Sequence, residues 1–207
     1  MTYLMMGYST GMFRNITQVR GAEIDPDLIL MQRIAAQDQD ALQALYDHHA
    51  PGLLHYLIGR LGDTRLAEEV LQDTMLAAWK NARRFRGECR VRTWLMTIAR
   101  LRAINAFHRQ IVPSSLNEPF YGEDQRTASR PNTLGQYLDL NAAMLILPEV
   151  HREILELVFY HGFSLEETAR VLQVATGTVK SRLHRAKNRL RRLMAAGNDE
   201  DEDEPAY

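Results

Sequence analysis

The last third of the chain carries a repeat whose spacing fits only an amphipathic helix. Apolar residues recur at steps of four, three, four and three: Val179, Leu183, Ala186, Leu190 and Leu193. The other faces hold no acid between Val174 and Gly197 and are strongly basic, with Lys180, Arg182, Arg185, Lys187, Arg189, Arg191 and Arg192. A shorter amphipathic stretch and a turn precede this helix. The order predicts a helix-turn-helix whose second helix enters the major groove of DNA.

Composition excludes several classes of protein. The 207 residues are 45% apolar and 25% charged, which is typical of one or two small globular domains. The single cysteine, Cys89, excludes an internal disulfide framework and suits a reducing compartment. No apolar run approaches the roughly 18 residues that a membrane span needs, and no secretory leader is evident. We therefore expect a cytoplasmic protein that does not insert into a membrane.

Charge is segregated along the chain. The net charge of −1 includes six consecutive acids at Asp199–Glu204, so the rest of the chain is net positive. A second basic segment carries one acid, Glu88, among its arginines, which are Arg83, Arg84, Arg86, Arg90, Arg92, Arg100, Arg102 and Arg109. Two basic runs with few acids within them indicate two cationic surfaces that bind a polyanion.

The first half of the chain shows helical periodicity. Asp25 and Pro26 are typical of a helix start, because Asp caps free amides and Pro suits the first turn. A second helix is expected from Ala41 to Leu61, with a boundary or kink at Pro51-Gly52. A third is expected at about Arg65–Arg83. A fourth follows a basic loop and spans Arg92–Arg109, with three residues expected to be inward: Trp94, Ile98 and Leu101.

A change in composition divides the chain into two parts. Residues 111–133 are rich in Pro, Ser and Gly, lack an apolar stripe, and are longer than most loops within one domain. Helices are expected in the second part near Leu134–Ile146, Pro148–Tyr160, Ser164–Leu172 and Thr176–Met194. The expected divisions are a flexible extension (1–24), a helical domain (25–110), a linker (111–133), a second helical domain (134–195) and an acidic tail (196–207). No alternating strand pattern occurs, so the fold class is all-α, with two helical domains joined by a flexible linker and the C-terminal one a helix-turn-helix.

Two segments together carry a family resemblance. Leu66–Arg109 contains the arginine-rich stretch, and Leu147–Leu193 contains the string GTVKSRLHRAKNRL at Gly177–Leu190. In this order and at this spacing they resemble conserved regions 2 and 4 of the sigma-70 family of bacterial transcription initiation factors, in its extracytoplasmic-function group. The resemblance covers about Asp25 to Met194. It implies an alternative sigma factor that binds core RNA polymerase, directs it to promoters through their −35 and −10 elements, and helps to open the DNA.

The resemblance implies two roles for the first domain. Its third helix would bind the clamp helices of the largest polymerase subunit through Glu68, Glu69, Gln72 and Asp73. The basic loop and fourth helix would hold the non-template strand of the −10 element through Arg86, Arg90, Arg92, Trp94, Arg100, Asn105 and Arg109. Trp94 is either a stacking surface or a core residue. The family commonly has an acid where Asn105 stands, so the −10 sequence preference of this chain is open.

The second domain would read the −35 element and lie near the other large polymerase subunit. Ser164 and Glu167 have the spacing of a capping box at the start of the supporting helix. The residues expected at the −35 DNA are Thr176, Thr178, Lys180, Ser181, Arg182, His184 and Arg185, with arginine suited to guanine edges and lysine and hydroxyls to phosphates. An anti-sigma factor is a further partner that the resemblance suggests.

Two other readings are weighed against this one. An enzyme is disfavoured, because no P-loop, GxSxG or Rossmann signature occurs and no cofactor is expected. No zinc pattern is recognisable, and we interpret His48, His49 and His55 as surface or helix-end residues, so no metal site is expected. The alternative is a stand-alone helix-turn-helix regulator, which would have no reason to carry Leu66–Arg109.

Overall fold

The computed structural model describes residues 25–111 and 140–196, and within these ranges the chain forms helices and no strand. The first range holds α1 (Asp27–Ala35), α2 (Gln39–Leu61), α3 (Thr64–Asn81), a 3-10 turn (Ala82–Arg84) and α4 (Val91–Ile111). The second holds α5 (Leu140–Ile146), α6 (Glu149–Leu155) with a π-helical turn (Glu156–Tyr160), α7 (Leu165–Leu172) and α8 (Thr176–Ala196). The all-α prediction is confirmed. The expected extension, most of the linker and the acidic tail lie outside the described residues.

Aspartates set the starts of the first three helices. Asp25 Oδ1 accepts a hydrogen bond from the Asp27 amide at 3.1 Å, as the sequence predicted. Asp38 caps α2 by accepting from two backbone amides, and Asp63 caps α3 by accepting from the Leu66 amide. Between them, Gly62 ends α2 in the left-handed region at φ 69°, where a residue with a Cβ would be strained.

The expected helix boundary at Pro51-Gly52 is wrong. Helix α2 continues through Pro51 as one element. Proline removes one backbone hydrogen bond and costs on the order of 3 kcal/mol inside a helix. The residues on either side, Ala50 and Leu53, are buried, and so is the rest of the α2 stripe, which includes Leu45 and Leu57. Burial along the whole helix outweighs the cost of the proline.

The inward face of α4 also differs from the prediction. The buried residues are Val91, Leu95, Met96, Ala99, Ala103 and Ala106. Leu101 is exposed, and Trp94 and Ile98 are only partly buried. Both stripes have helical spacing, and the one rich in alanine faces the core because small side chains let α4 approach α2 and α3 closely. Leu101 is therefore left at the surface, and Trp94 and Ile98 are only partly covered.

The second half contains the predicted helix-turn-helix. Helix α7 ends at Gln173, whose backbone is left-handed at φ 57°, and α8 begins three residues later. The buried stripe of α8 starts with Val179, Leu183 and Ala186, as expected, and Leu190 and Leu193 pack against the same core. No helix among the described residues has both the length and the apolar character that crossing a membrane demands.

The two halves pack against each other. Helix α4 lies on α7, and the Thr93 hydroxyl donates to Glu167 Oε1 at 3.1 Å. Near this contact Tyr56 of α2 donates to Glu153 of α6 at 2.7 Å. The positions of the domain boundaries stay a prediction, since much of the expected linker lies outside the described residues.

Candidate nucleic-acid interface

The first half of α8 presents a polar surface away from the core. We call Lys180, Ser181, His184 and Arg185, which are all exposed, the α8 surface. Thr176, Thr178 and Arg182, the other residues predicted for −35 DNA, are half-buried beside it. Val179 and Leu183 anchor the helix in the core on the opposite side. The structure therefore brings the predicted set to the beginning of one helix, which is the part of a recognition helix that contacts base edges.

The supporting helix α7 is capped at its start. Ser164 Oγ accepts from the Glu167 amide at 3.1 Å, and Glu167 Oε2 accepts from the Ser164 amide at 2.9 Å. These two bonds form the predicted capping box, so that prediction is confirmed. A supporting helix with a fixed start gives α8 a fixed angle relative to the rest of this half.

The cations of α8 form no ion pair with any described acid. Burial lowers the pKa of His151 on α6, and the nearby guanidiniums of Arg189, Arg185 and Arg182 lower it further. These three guanidiniums of α8 therefore lie close enough to the imidazole to disfavour its protonation. A helix with unneutralised cations attracts DNA phosphates over a distance of about a Debye length.

A second candidate surface lies between α3 and α4. We call it the α3–α4 groove, an open depression of about 510 Å³. Its lining residues are Ala77, Asn81, Arg84, Trp94, Ile98, Leu101, Arg102 and Asn105. An aromatic ring, amide groups and guanidiniums around one depression suit a base that leaves the stack, because the ring stacks on it and the polar groups read its edge.

Trp94 combines features of a core residue and of a stacking surface. Its ring lies 5.0 Å from that of Phe85, at an angle of 47°, and the side chain is partly buried while lining the groove. Phe85 therefore holds the indole in place and leaves part of its surface toward the groove. Sequence analysis named Trp94 and Asn105 but missed Asn81, Arg84 and Arg102 as groove residues. The exposed stripe of α4 would have revealed Arg102, had the inward face of that helix been assigned correctly, whereas Asn81 and Arg84 lie on other elements.

The remaining residues predicted for −10 DNA divide into two groups. Arg86, Arg90 and Arg109 are exposed near the basic loop and α4. Arg92 and Arg100 instead face the second half of the molecule. Arg92 donates to the His161 and Gly162 carbonyl oxygens at 3.1 and 3.3 Å and lies 4.4 Å from the Phe163 ring centroid. In this arrangement neither arginine reaches the groove.

Arg100 belongs to a buried cluster at the contact of the two halves. Its Nε donates to Glu153 Oε1 at 2.9 Å, and Arg60 lies 3.4 Å from Glu153 Oε2. Burial alone would raise the pKa of the Glu153 carboxyl, but Arg60 and Arg100 outweigh it and hold the pKa below its ordinary value. Burial and the Glu153 charge raise the pKa of the Tyr56 hydroxyl well above 10. Glu153 is thus ionised and neutralised by the first half.

The residues predicted to bind polymerase share one face of α3. Glu68, Glu69, Gln72 and Asp73 are all exposed. Two of them have partners: Glu69 lies 3.6 Å from Arg65, and Asp73 lies 3.4 Å from Arg102 of the groove. These exposed pairs contribute little to stability and leave the face acidic.

One group of described residues has the donors and spacing for a metal ion, namely Asp27, His48 and His49. His48 is exposed, as expected from the sequence, whereas His49 is buried at 9% exposure, so its interpretation as a surface residue is wrong. Tertiary contact with α1 covers it, and no pattern around His49 shows that contact. His55 is exposed and stacks on Tyr160 at 4.1 Å.

Comparison with known proteins matches both halves of the chain to one family. The family model described as "Sigma-70 region 2" matches residues 45–110, and "Sigma-70, region 4" matches residues 137–190. The ECF RNA polymerase sigma factor SigL of Mycobacterium tuberculosis (strain H37Rv) is 35% identical over 162 residues, which cover 76% of this chain and 90% of SigL. The RNA polymerase sigma factor YlaC of Bacillus subtilis (strain 168) is 32% identical and covers 79% of this chain and 97% of its own.

Solved structures share the fold. CnrH in complex with the cytosolic domain of CnrY has a TM-score of 0.60 at 22% identity, covering 82% of this chain and 97% of CnrH. The sigma factor RpoE in complex with the anti-sigma factor NepR, from Bartonella quintana, has a TM-score of 0.55 at 26% identity, covering 74% and 96% of the two chains.

The helix-turn-helix, the arginine-rich half and the two regional matches define a transcription initiation factor of the sigma-70 kind. The relatives narrow the class further. The chain belongs to the extracytoplasmic-function group of the sigma-70 family. It is an alternative sigma factor that directs RNA polymerase to promoters, and the reading as a stand-alone regulator is not favoured. Sigma factors are non-catalytic initiation factors.

Proposed function

We propose that the α3–α4 groove holds the unpaired non-template strand of the −10 element while the α8 surface reads the −35 element. The observation that carries this proposal is the groove itself, in which Trp94 and Asn105 lie beside Arg84 and Arg102. Unpairing a base costs a few kcal/mol, which stacking and phosphate contacts offset. We assign Arg86, Arg90 and Arg109 to the phosphates that flank the groove.

The polymerase contact is assigned to the acidic face of α3. Glu68, Glu69, Gln72 and Asp73 lie side by side and exposed, so one basic helix of a partner could pair with all of them. The groove begins beside this face, because Asp73 contacts Arg102. A polymerase bound at α3 would therefore lie next to the DNA strand that the groove holds.

The closed packing of the two halves is incompatible with a promoter-bound state. The −35 and −10 elements lie about 25 base pairs apart, which is roughly 85 Å at ~3.4 Å per base pair. A compact chain of about 150 residues has a radius of gyration near 15 Å. The two surfaces cannot reach both elements from one compact body, so the halves separate on the polymerase. Separation also frees Arg92 and Arg100 for the −10 strand.

Two further features follow from the proposed role. The protein acts in the cytoplasm, where polymerase and promoter DNA are, and catalyses no reaction by itself. RpoE of Bartonella quintana, at 26% identity, was solved with the anti-sigma factor NepR. We include an anti-sigma factor of that kind among the partners of this chain, bound where it would keep the halves from separating on polymerase.

Run-off transcription with purified core polymerase tests the proposal, on a promoter located by mapping transcript starts after overexpression. Arg84→Ala and Asn105→Ala should each reduce transcript from duplex DNA at least about tenfold, a loss on the scale of one stacking or base contact. Arg84→Ala should recover most activity on a template whose −10 region is already unpaired by mismatches. The matched control is Arg170→Ala, an exposed arginine of α7 outside both surfaces.

Several outcomes would contradict the proposal. Full activity of both groove variants on duplex DNA would show that the α3–α4 groove does not hold the −10 strand. A wild-type chain that yields no promoter-dependent transcript, but binds an operator tightly without polymerase, would instead support a stand-alone regulator.

A further inference from the structure

Asp27 is a buried carboxylate whose close side-chain partners are two histidines. Its side chain is 7% exposed, and its two oxygens lie 3.1 Å from His48 Nδ1 and 2.7 Å from His49 Nε2. No lysine or arginine of the described chain forms an ion pair with it. A carboxylate removed from water is costly unless a positive charge or several hydrogen bonds compensate it. A metal ion held between Asp27 and the two histidines would supply such a charge.

The donor atoms have the arrangement of a metal site. They come from the first turn of α1 and the middle of α2, and all lie within 4.8 Å of one another. Ligands of a tetrahedral zinc ion bind at about 2.0–2.2 Å and are therefore roughly 3.3 Å apart. The 3.1 Å distance is close to that value, and the 2.7 Å distance is that of a hydrogen bond which the ion would replace. Binding would therefore need the side chains to rotate so that all three donors point at one ion.

We propose that Asp27, His48 and His49 bind one divalent transition-metal ion, with zinc as the first choice. Two imidazoles and one carboxylate are a donor set that suits Zn²⁺ and its neighbours and disfavours Mg²⁺ and Ca²⁺, which take oxygen ligands. The His48 side chain is 61% exposed, so the ion reaches the site from solvent. Water completes the fourth position.

The bound ion ties α1 to α2 and thereby steadies the start of α4. Asp25, two residues before Asp27, accepts hydrogen bonds from the Asp27 amide at 3.1 Å and from the Val91 amide at 2.6 Å. Val91 is the first residue of α4, directly after the basic loop. An ion that fixes Asp27 therefore also fixes the residue that holds the loop end of α4. The proposal is independent of the promoter contacts assigned above.

Titration of the full-length, chelator-treated protein with ZnCl₂ and CoCl₂ tests the site. Calorimetry should show one zinc ion per chain, and cobalt should give the visible absorption of a tetrahedral N/O site. Saturating zinc should raise Tm, since a ligand that binds only the folded chain stabilises it, whereas MgCl₂ should not. His48→Gln removes an exposed ligand without touching the core and should weaken zinc binding at least about tenfold.

His108→Gln is the matched control, because this exposed histidine of α4 lies outside the group. It should bind zinc as tightly as the wild type. The acids at Asp199–Glu204 are present in every variant, so cation binding there is common to all. Circular dichroism checks that each variant is folded. Absence of stoichiometric zinc binding, or equal affinity of the wild type and His48→Gln, would overturn the proposal.

Discussion

Arg100 and Glu153, 53 residues apart in sequence, join the two halves of the molecule through a 2.9 Å hydrogen bond from the guanidinium Nε to the carboxylate. The carboxylate is 5% exposed and the arginine side chain 16% exposed. Tyr56 and Arg60 of α2 complete the surroundings of the same carboxylate. The first half thus supplies every close polar partner of Glu153 that the described structure shows. In the function proposed above, this contact is released when the chain spans a promoter.

Replacement of Glu153 should open the molecule. Glu153→Gln removes the charge that neutralises Arg60 and Arg100, and loss of one partner of a buried ion pair costs about 3 kcal/mol or more. We expect a lower urea midpoint and a larger radius of gyration by small-angle scattering. Glu166→Gln, at an exposed acid of α7 that forms no ion pair, should change neither quantity measurably. An unchanged radius together with unchanged stability would show that Glu153 does not hold the halves together.

Opening should also strengthen binding of the −10 strand. Arg92 and Arg100 are engaged by the second half, so Glu153→Gln should raise the affinity of the free chain for single-stranded −10 DNA by several-fold at low salt. Fluorescence anisotropy with a labelled oligonucleotide measures this. The double variant Glu153→Gln/Arg100→Ala should lose part of the gain. Weaker binding by the single variant would contradict the idea that the contact competes with DNA.

The Tyr56 hydroxyl should make its own contribution to the free energy of unfolding. Tyr56→Phe keeps the buried ring and removes only the donor to Glu153, and hydrogen bonds to charged groups are worth about 1.5–3 kcal/mol. Chemical denaturation should show that the free energy of unfolding falls by an amount at the lower end of that range, because Arg60 and Arg100 still contact Glu153. Tyr46→Phe, a partly exposed tyrosine on the same helix, is the control and should be neutral. Equal stability of the two variants would show that the Tyr56 hydroxyl does not stabilise the protein.

Stability should fall as the pH is lowered from about 6.5 towards 4. Burial lowers the pKa of His161 from 6.5 to about 4, with His55 and Arg92 adding to the effect, and Tyr56 and Tyr160 also pack beside its ring. The unfolded chain therefore binds this proton more tightly, and acid favours unfolding over that interval. The depressed pKa of Glu153 has its effect at lower pH, because the stability that this carboxylate contributes is lost only below about pH 4.5.

Urea unfolding at pH 7, 6 and 5 should separate these contributions. His161→Asn should show a smaller loss between pH 7 and 5 than the wild type, whereas His108→Asn, at an exposed site, should follow the wild type. If the unfolding free energy of all three proteins falls equally with pH, His161 is protonated normally and other groups cause the acid sensitivity.

Local signals accounted for much of the second half. The apolar stripe of α8 and the Ser164–Glu167 capping box involve residues three or four apart, where helix geometry alone decides which side chains meet. The acidic residues of α3 were instead named through the family resemblance, and the structure places them on the surface. The inward face of α4 was not predicted correctly, because two stripes with helical spacing overlap on that helix. Only packing against α2 and α3 selected the alanine-rich one, which placed Leu101 at the surface.

The sequence by itself determined that this chain is helical, that it carries two basic segments and that it resembles an extracytoplasmic-function sigma factor, because periodicity, charge and motif spacing are properties of neighbouring residues. The tertiary structure decided which residues line the α3–α4 groove, that Glu153 neutralises Arg100, and that Asp27 lies against His48 and His49. Each of these contacts joins separate helices. Their formation depends on close packing between those helices, which no local pattern specifies.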